Sequence, residues 1–256
     1  MTKGFYTLAI LAAAFACGAA LSPALAQEPA VQPLYLVYHP TAGLLDHGAY
    51  LIRGLAGAES SLLGQLGVGF KNLFQVGASF GMQNVLGYGS LELNDKIGLQ
   101  ARVRLIEESD APALAIGFNS QGLGVYHEEL ERYDRKSVGF YVVVSKNWMF
   151  ALGDISAHGG VSLSTERTDD DDPNLFVGAD WTILKRLAFI LDLDAALNDN
   201  ARDSEFGQGG IYLDAGIRWF YGESLLMTLI FQDLTGNFGG SNRVGRAFEF
   251  AFINSF

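Results

Sequence analysis

Cysteine, proline and basic charge are all scarce in this 256-residue sequence. The one cysteine, Cys17, lies inside an apolar leader, so the chain beyond it has no thiol for a disulfide, a metal site or a nucleophile. A lipobox ending at that cysteine would need a better match than Ala14-Phe15-Ala16. Of six prolines, Pro29, Pro33 and Pro40 cluster early, where they block sheet pairing and mark Gln27 to His47 as an extended periplasmic lead-in. Lys and Arg number 17 against 28 Asp and Glu, a net charge of −11, which excludes a nucleic-acid partner because phosphate binding needs clustered cations. Past the leader no run reaches the roughly 18 apolar residues of a spanning helix, so membrane residence would have to be as a closed β-barrel.

What is abundant points the same way. Glycine stands at 31 residues, Phe and Tyr at 18 and 10, and only 18% of residues are charged, a composition of Gly-punctuated strands. Nothing in the middle reads as a linker, so one all-β domain is expected. Residues 1–26 read as a secretory signal: Lys3, an apolar core from Phe5 to Ala20, and Ala24-Leu25-Ala26 as the small-x-small cleavage site.

Twelve strand-like runs follow the lead-in: 48–55, 62–70, 74–82, 97–106, 113–118, 137–146, 157–165, 175–184, 187–196, 211–221, 225–234 and 246–256. Their connections alternate in length. Short links sit at Lys71-Asn72-Leu73, Ser109 to Pro112, Asn147-Trp148, Lys185-Arg186 and Gly222-Glu223-Ser224. Long ones run over 87–96, 119–136, 166–174, 198–210 and 235–245, and 56–61 is intermediate. An even strand number with short periplasmic turns and long outer loops predicts a closed antiparallel up-and-down barrel over 48–256 in the outer membrane.

Alternation within strands assigns the two faces. Leu175, Val177, Ala179, Trp181 and Ile183 oppose Gly178, Asp180 and Thr182. Alternation alone does not say which face is inside. The apolar set is large for one soluble core, and aromatics including Phe70, Phe74, Trp148, Trp219, Phe220, Tyr221 and Phe256 gather beside the short links as an interfacial girdle would. An apolar-out barrel would then line its lumen with Arg53, Arg102, Arg104, Asp180, Asp192, Asp194, Asp214, Arg218 and Glu249. Those charges would either flank a narrow path for a small polar solute or pair across the interior and stiffen it.

Phe248, Phe250, Phe252 and the terminal Phe256 share one side of the last strand, opposite Ala247, Glu249, Ala251 and Ser255. This segment resembles the C-terminal strand of bacterial outer-membrane β-barrel proteins. The resemblance implies that the final aromatic is read by the barrel assembly machinery and that outer-membrane lipid surrounds the apolar face. A second likeness rests on His39-Pro40-Thr41-Ala42-Gly43-Leu44-Leu45-Asp46-His47-Gly48-Ala49-Tyr50, Leu66-Gly67-Val68-Gly69-Phe70 and Val76-Gly77-Ala78-Ser79-Phe80-Gly81. These stretches resemble the openings of YjbH-type outer-membrane proteins linked to exopolysaccharide production, and imply an accessory role in polysaccharide export or another envelope partner protein.

No enzyme motif emerges, and no cofactor is implied. Lipid modification has a precedent in twelve-stranded outer-membrane phospholipases, but no motif of theirs occurs here. His158 and Ser162 share a strand face yet stand about 13 Å apart at about 3.3 Å per residue, beyond the reach of a Ser–His pair. The run Asp169, Asp170, Asp171 and Asp172 offers oxygen ligands to a hard cation such as Ca²⁺, but lacks the spacing of an EF-hand loop and reads more readily as a solvated acidic loop.

Overall fold

The computed structural model describes residues 32–57, 61–85, 90–94, 96–151, 153–166, 170–200, 206–239 and 244–256; the expected signal at 1–26 and Asp169 lie outside these. Twelve strands form the wall: β1 (Ala49–Ala56), β2 (Leu62–Phe70), β3 (Phe74–Gln83), β4 (Gly98–Ile106), β5 (Ala113–Asn119), β6 (Gly139–Phe150), β7 (Gly153–Ser164), β8 (Asn174–Ile183), β9 (Leu187–Asp194), β10 (Tyr212–Tyr221), β11 (Leu225–Gln232) and β12 (Gly245–Ser255). Each pairs antiparallel with the next, and β1 pairs with β12, from Ala49↔Ser255 to Ala56↔Phe248. The ring is closed, with no unpaired edge in the wall.

The tight links form at what we call the turn end. At Phe70–Leu73 and Ile183–Arg186 a backbone bond of 3.0 Å spans two residues with positive φ: Lys71 and Asn72 in one, Leu184 and Lys185 in the other. That is the primed turn whose twist matches a right-twisted hairpin. One expected turn lies elsewhere. Asn147 and Trp148 continue β6, paired with Ser156 and Ile155, and the chain reverses between Phe150 and Gly153. The sequence there keeps alternating through the aromatic, so no local signal marks the later reversal.

Between the strands at the loop end, Glu92–Leu93 adds a short rung to β3, and Leu123–His127 pairs with Arg132–Arg135 as a separate hairpin. Neither was expected from the sequence, since each is a few residues long within a polar connection.

The wall is apolar outside and polar inside. Leu66, Val76, Leu99, Val142, Val161, Trp181, Leu191, Trp219, Leu229 and Phe248 are exposed on the outer surface, while Gln65, Gln75, Ser79, Arg102, Ser145, Asp192, Asp214, Thr228 and Glu249 are buried within. A soluble sandwich would invert this, because burying charges while leaving Leu and Phe in water is unfavourable twice over.

The interior is not empty. The lead-in was expected outside the barrel, in the periplasm. Instead its described part, from residue 32, enters at the turn end, where Gln32 Oε1 accepts from Arg104, and folds into a hairpin inside the lumen. Tyr35 bridges Pro40, Leu36 N–H donates to His39 O at 2.9 Å, and Thr41 N–H donates to Leu34 O at 3.1 Å. Leu34 and Leu45 pack with Leu51, Leu226 and Ala251; Leu36 and Val37 pack with Leu55, Ile190, Ile230 and Ala247; Ala42 packs with Ala115, Val143 and Phe176. These inward apolar positions on the wall are matched to the hairpin, and each fully buried Leu or Val contributes about 1.5–3 kcal/mol.

Candidate functional site

The site is the lumen, built by inward side chains of the wall, the inner hairpin and the 120–138 connection. Charged wall residues grip the hairpin by its main chain. Asp192 Oδ2 accepts from the N–H groups of Val37, Tyr38 and His39 at 3.2, 2.8 and 3.0 Å, and its Oδ1 bonds His39 Nδ1 at 2.8 Å. Arg218 Nη2 donates to Tyr35 O and Leu36 O at 3.1 and 2.7 Å, and Arg102 Nη1 donates to Leu34 O and Gly43 O at 3.1 and 2.7 Å. Further along, Ala42 N–H donates to Ser145 Oγ at 2.8 Å and Leu45 N–H to Gln75 Oε1 at 3.1 Å. A backbone with no partner in the wall sheet is thereby satisfied by wall side chains together with the hairpin's own two main-chain bonds.

From the opposite end, the 120–138 connection folds inward. Arg135 Nη1 donates to Asp214 Oδ2 at 2.6 Å, and its Nη2 meets Asp194 Oδ2 at 3.1 Å. Arg132 forms a bidentate pair with Asp199, at 3.0 and 2.8 Å. Glu166 accepts the N–H groups of Tyr133, Ser137 and Val138 at 2.8, 2.7 and 2.9 Å; burial pushes its carboxyl up, and those donors hold it back. Burial likewise pushes the Lys136 ammonium down.

The two closures meet on one group. His39, at the tip of the inner hairpin, lies 3.5 Å from Asp194 Oδ2, the oxygen that Arg135 also holds. The ring of His39 stacks on Phe176 at 4.5 Å. Burial pushes the His39 imidazole down, but Asp192 and Asp194 outweigh it and raise its pKa to about 10. His39 sits on the hairpin rather than on a spanning strand, and as a cation it joins Arg135 in offsetting the charge of Asp192, Asp194 and Asp214.

Of the nine charges read from the sequence, Arg53, Arg102, Asp180, Asp192, Asp194, Asp214, Arg218 and Glu249 are buried within the barrel, and Arg104 is half-buried near the turn end. Arg53 Nε donates to Glu249 at 2.5 Å, and Glu249 also meets Thr228 at 3.1 Å and Arg218 at 3.7 Å. His39, Arg135, Ser145, Gln65 and Gln100 were not expected in the lumen. The glutamines and Ser145 had a signal, since they occupy the inward parity of their strands; His39 and Arg135 depend on where the lead-in and a long loop go.

Asp180, His158 and Ser145 form a row across β8, β7 and β6, with His158 Nε2 3.0 Å from Asp180 and Nδ1 2.7 Å from Ser145 Oγ. His158 thus meets a serine across the sheet rather than Ser162 along the strand. The Ser145 hydroxyl is already covered by Ala42 N–H, so this row tethers hairpin to wall and presents no exposed nucleophile.

Outside, Trp219, Tyr221 and Phe256 are exposed, while Trp148 and Phe252 are half-buried. Tyr50 packs against Phe252 and Phe256, at 6.1 and 5.2 Å, across the β1–β12 seam. Phe220, expected in the outer girdle, instead packs against the inner Leu34 cluster because its parity along β10 turns it inward. Asp170 to Asp172 lie on a loop where Asp172 N–H donates to Asp170 Oδ1 at 3.1 Å; among the described residues no group of His, Cys, Asp or Glu is placed to hold a metal ion.

No protein-family model and no curated protein matches this chain. Solved structures similar to it include the NanC porin, at 11% identity and a TM-score of 0.46, covering 81% of this chain and 99% of that one. The KdgM porin matches at 9% identity and 0.46 over 81% and 99%, and the outer-membrane protein Omp33 of Acinetobacter baumannii at 8% and 0.47 over 83% and 99%. The likeness to YjbH-type proteins finds no support among these. Such identities transfer no residue role, and the barrel stands on its own closed ring of strand pairings.

Proposed function

We propose that this protein is an outer-membrane channel for a small polar solute, closed at rest by its own inner hairpin and by the 120–138 connection. One observation carries the reading: beside three separate apolar contacts with the wall, the hairpin's main chain is gripped by Asp192, Arg218, Arg102, Ser145 and Gln75, through bonds that water and solute groups can replace. A permanently filled structural barrel would gain more from apolar packing, since buried charge pairs stabilise little compared with well-packed hydrocarbon. Location in the outer membrane is supported by the apolar outer surface on a closed wall, in which each strand is paired on both sides.

The test is conductance in planar bilayers. The intact protein is expected to give small or rare openings, and deletion of residues 32–46 a larger steady conductance with the barrel still folded. A folded deletion variant that stays silent would leave the structural role instead, as an envelope component acting through a partner protein.

A further inference from the structure

Between the inner hairpin and the 120–138 connection lies a cavity of about 70 Å³. Its lining carries Arg53, Arg102, Arg135, Lys136 and His39, and none of the described residues that line it is Asp or Glu. In a chain of net charge −11 this is the reverse of the average. The acids of the lumen stand behind the cavity: Glu249 against Arg53, Asp194 and Asp214 against Arg135, and Asp192 against His39.

Arg102 differs from these. It is buried, and its partners are uncharged: Tyr141 Oη at 2.9 Å and the carbonyls of Leu34 and Gly43. Among the described residues no carboxylate pairs with it. A desolvated guanidinium without a counter-ion is unfavourable, and an anion that comes to it relieves that cost. Around it the lining adds amides and a phenol, from Gln65, Gln100, Gln121 and Tyr35, which orient a polar guest without adding negative charge.

We propose that this cavity binds a small oxyanion, a carboxylate or phosphate group, with Arg102 as its principal charge partner. The volume suits one such group rather than a large solute, since a single water needs about 10–15 Å³ of such cavity space. The proposal rests on reading the lumen as a solute path and names the charge class that path selects. Bound there, the anion touches hairpin and connection together, so it would also favour the closed arrangement.

The experiment uses the full-length barrel in detergent micelles. Its unfolding midpoint is followed while sodium acetate or inorganic phosphate replaces sodium chloride at constant ionic strength. We expect a saturable rise of about 3–6 °C at ten times the dissociation constant for at least one oxyanion. Arg102→Gln should abolish that rise and Arg102→Lys retain part of it. Acetate acting alone identifies a carboxylate guest, and phosphate acting alone a phosphate guest. No rise beyond chloride, or an equal rise in Arg102→Gln, overturns the proposal. Should Arg102→Gln not fold, titration calorimetry of the intact barrel decides: saturable heat with either anion supports the site, and none overturns it. Neither readout involves ion flow, so failure of the channel reading and failure of this site are separable.

Discussion

His39 and Asp192 carry much of the closure in two side chains. Because the folded pKa of His39, about 10, lies above its ordinary 6.5, the stabilisation it supplies is complete below about 6.5 and is lost as pH rises through about 10. Cleavage of the hairpin by chymotrypsin at Tyr35 or Tyr38 should therefore increase over that window, and His39→Gln should flatten the dependence. Asp192→Ala removes the acceptor of three backbone N–H groups and leaves His39 with only its longer contact to Asp194. It should cost about 3–5 kcal/mol in urea unfolding from vesicles, the usual cost of breaking a buried pair. The parity of Asp192 along its strand was legible in the sequence. Its partner was not, because His39 lies 153 residues earlier in a stretch that looks like a tail.

The inner hairpin is an element whose fit depends on how closely it can approach the wall. At Gly69 a Cβ would lie 2.3 Å from Asp46 O and 2.4 Å from Leu45 O, so any side chain there pushes away the segment by which the hairpin leaves the lumen. Gly69→Ala should raise conductance without lowering barrel yield, whereas Gly67→Ala, with its nearest neighbour at 3.5 Å, should leave both unchanged. Comparing the two by bilayer recording and by heat-dependent gel mobility separates hairpin docking from wall folding. The wall strands themselves were readable within a few residues. A strand declares itself through period-two alternation and bounding turn residues, both local properties. Among the described residues the lead-in joins no strand of the wall, yet a segment outside a sheet can still fold within the ring it forms.

For the whole molecule, the decisive property is the inversion of polarity between its two surfaces. Trp181 and Trp219, 43% and 56% exposed, lie on the outside, so brominated lipid should quench most of the tryptophan fluorescence once the barrel is reconstituted. Emission indifferent to bromination would mean that those faces meet water or another protein. The alternation of charge and hydrocarbon, the alternation of short and long links, and the aromatic last strand were sufficient to specify a closed twelve-stranded wall, because each follows from neighbours along the chain or from adjacent strands. What fills that wall depended on contacts between segments far apart in sequence: a tail reaching Asp192, a loop bringing Arg135 to Asp194 and Asp214, and a cavity left between them without acids. Local pattern carries no record of such meetings, since the same residues would read identically whether the tail hung free or lay within the lumen.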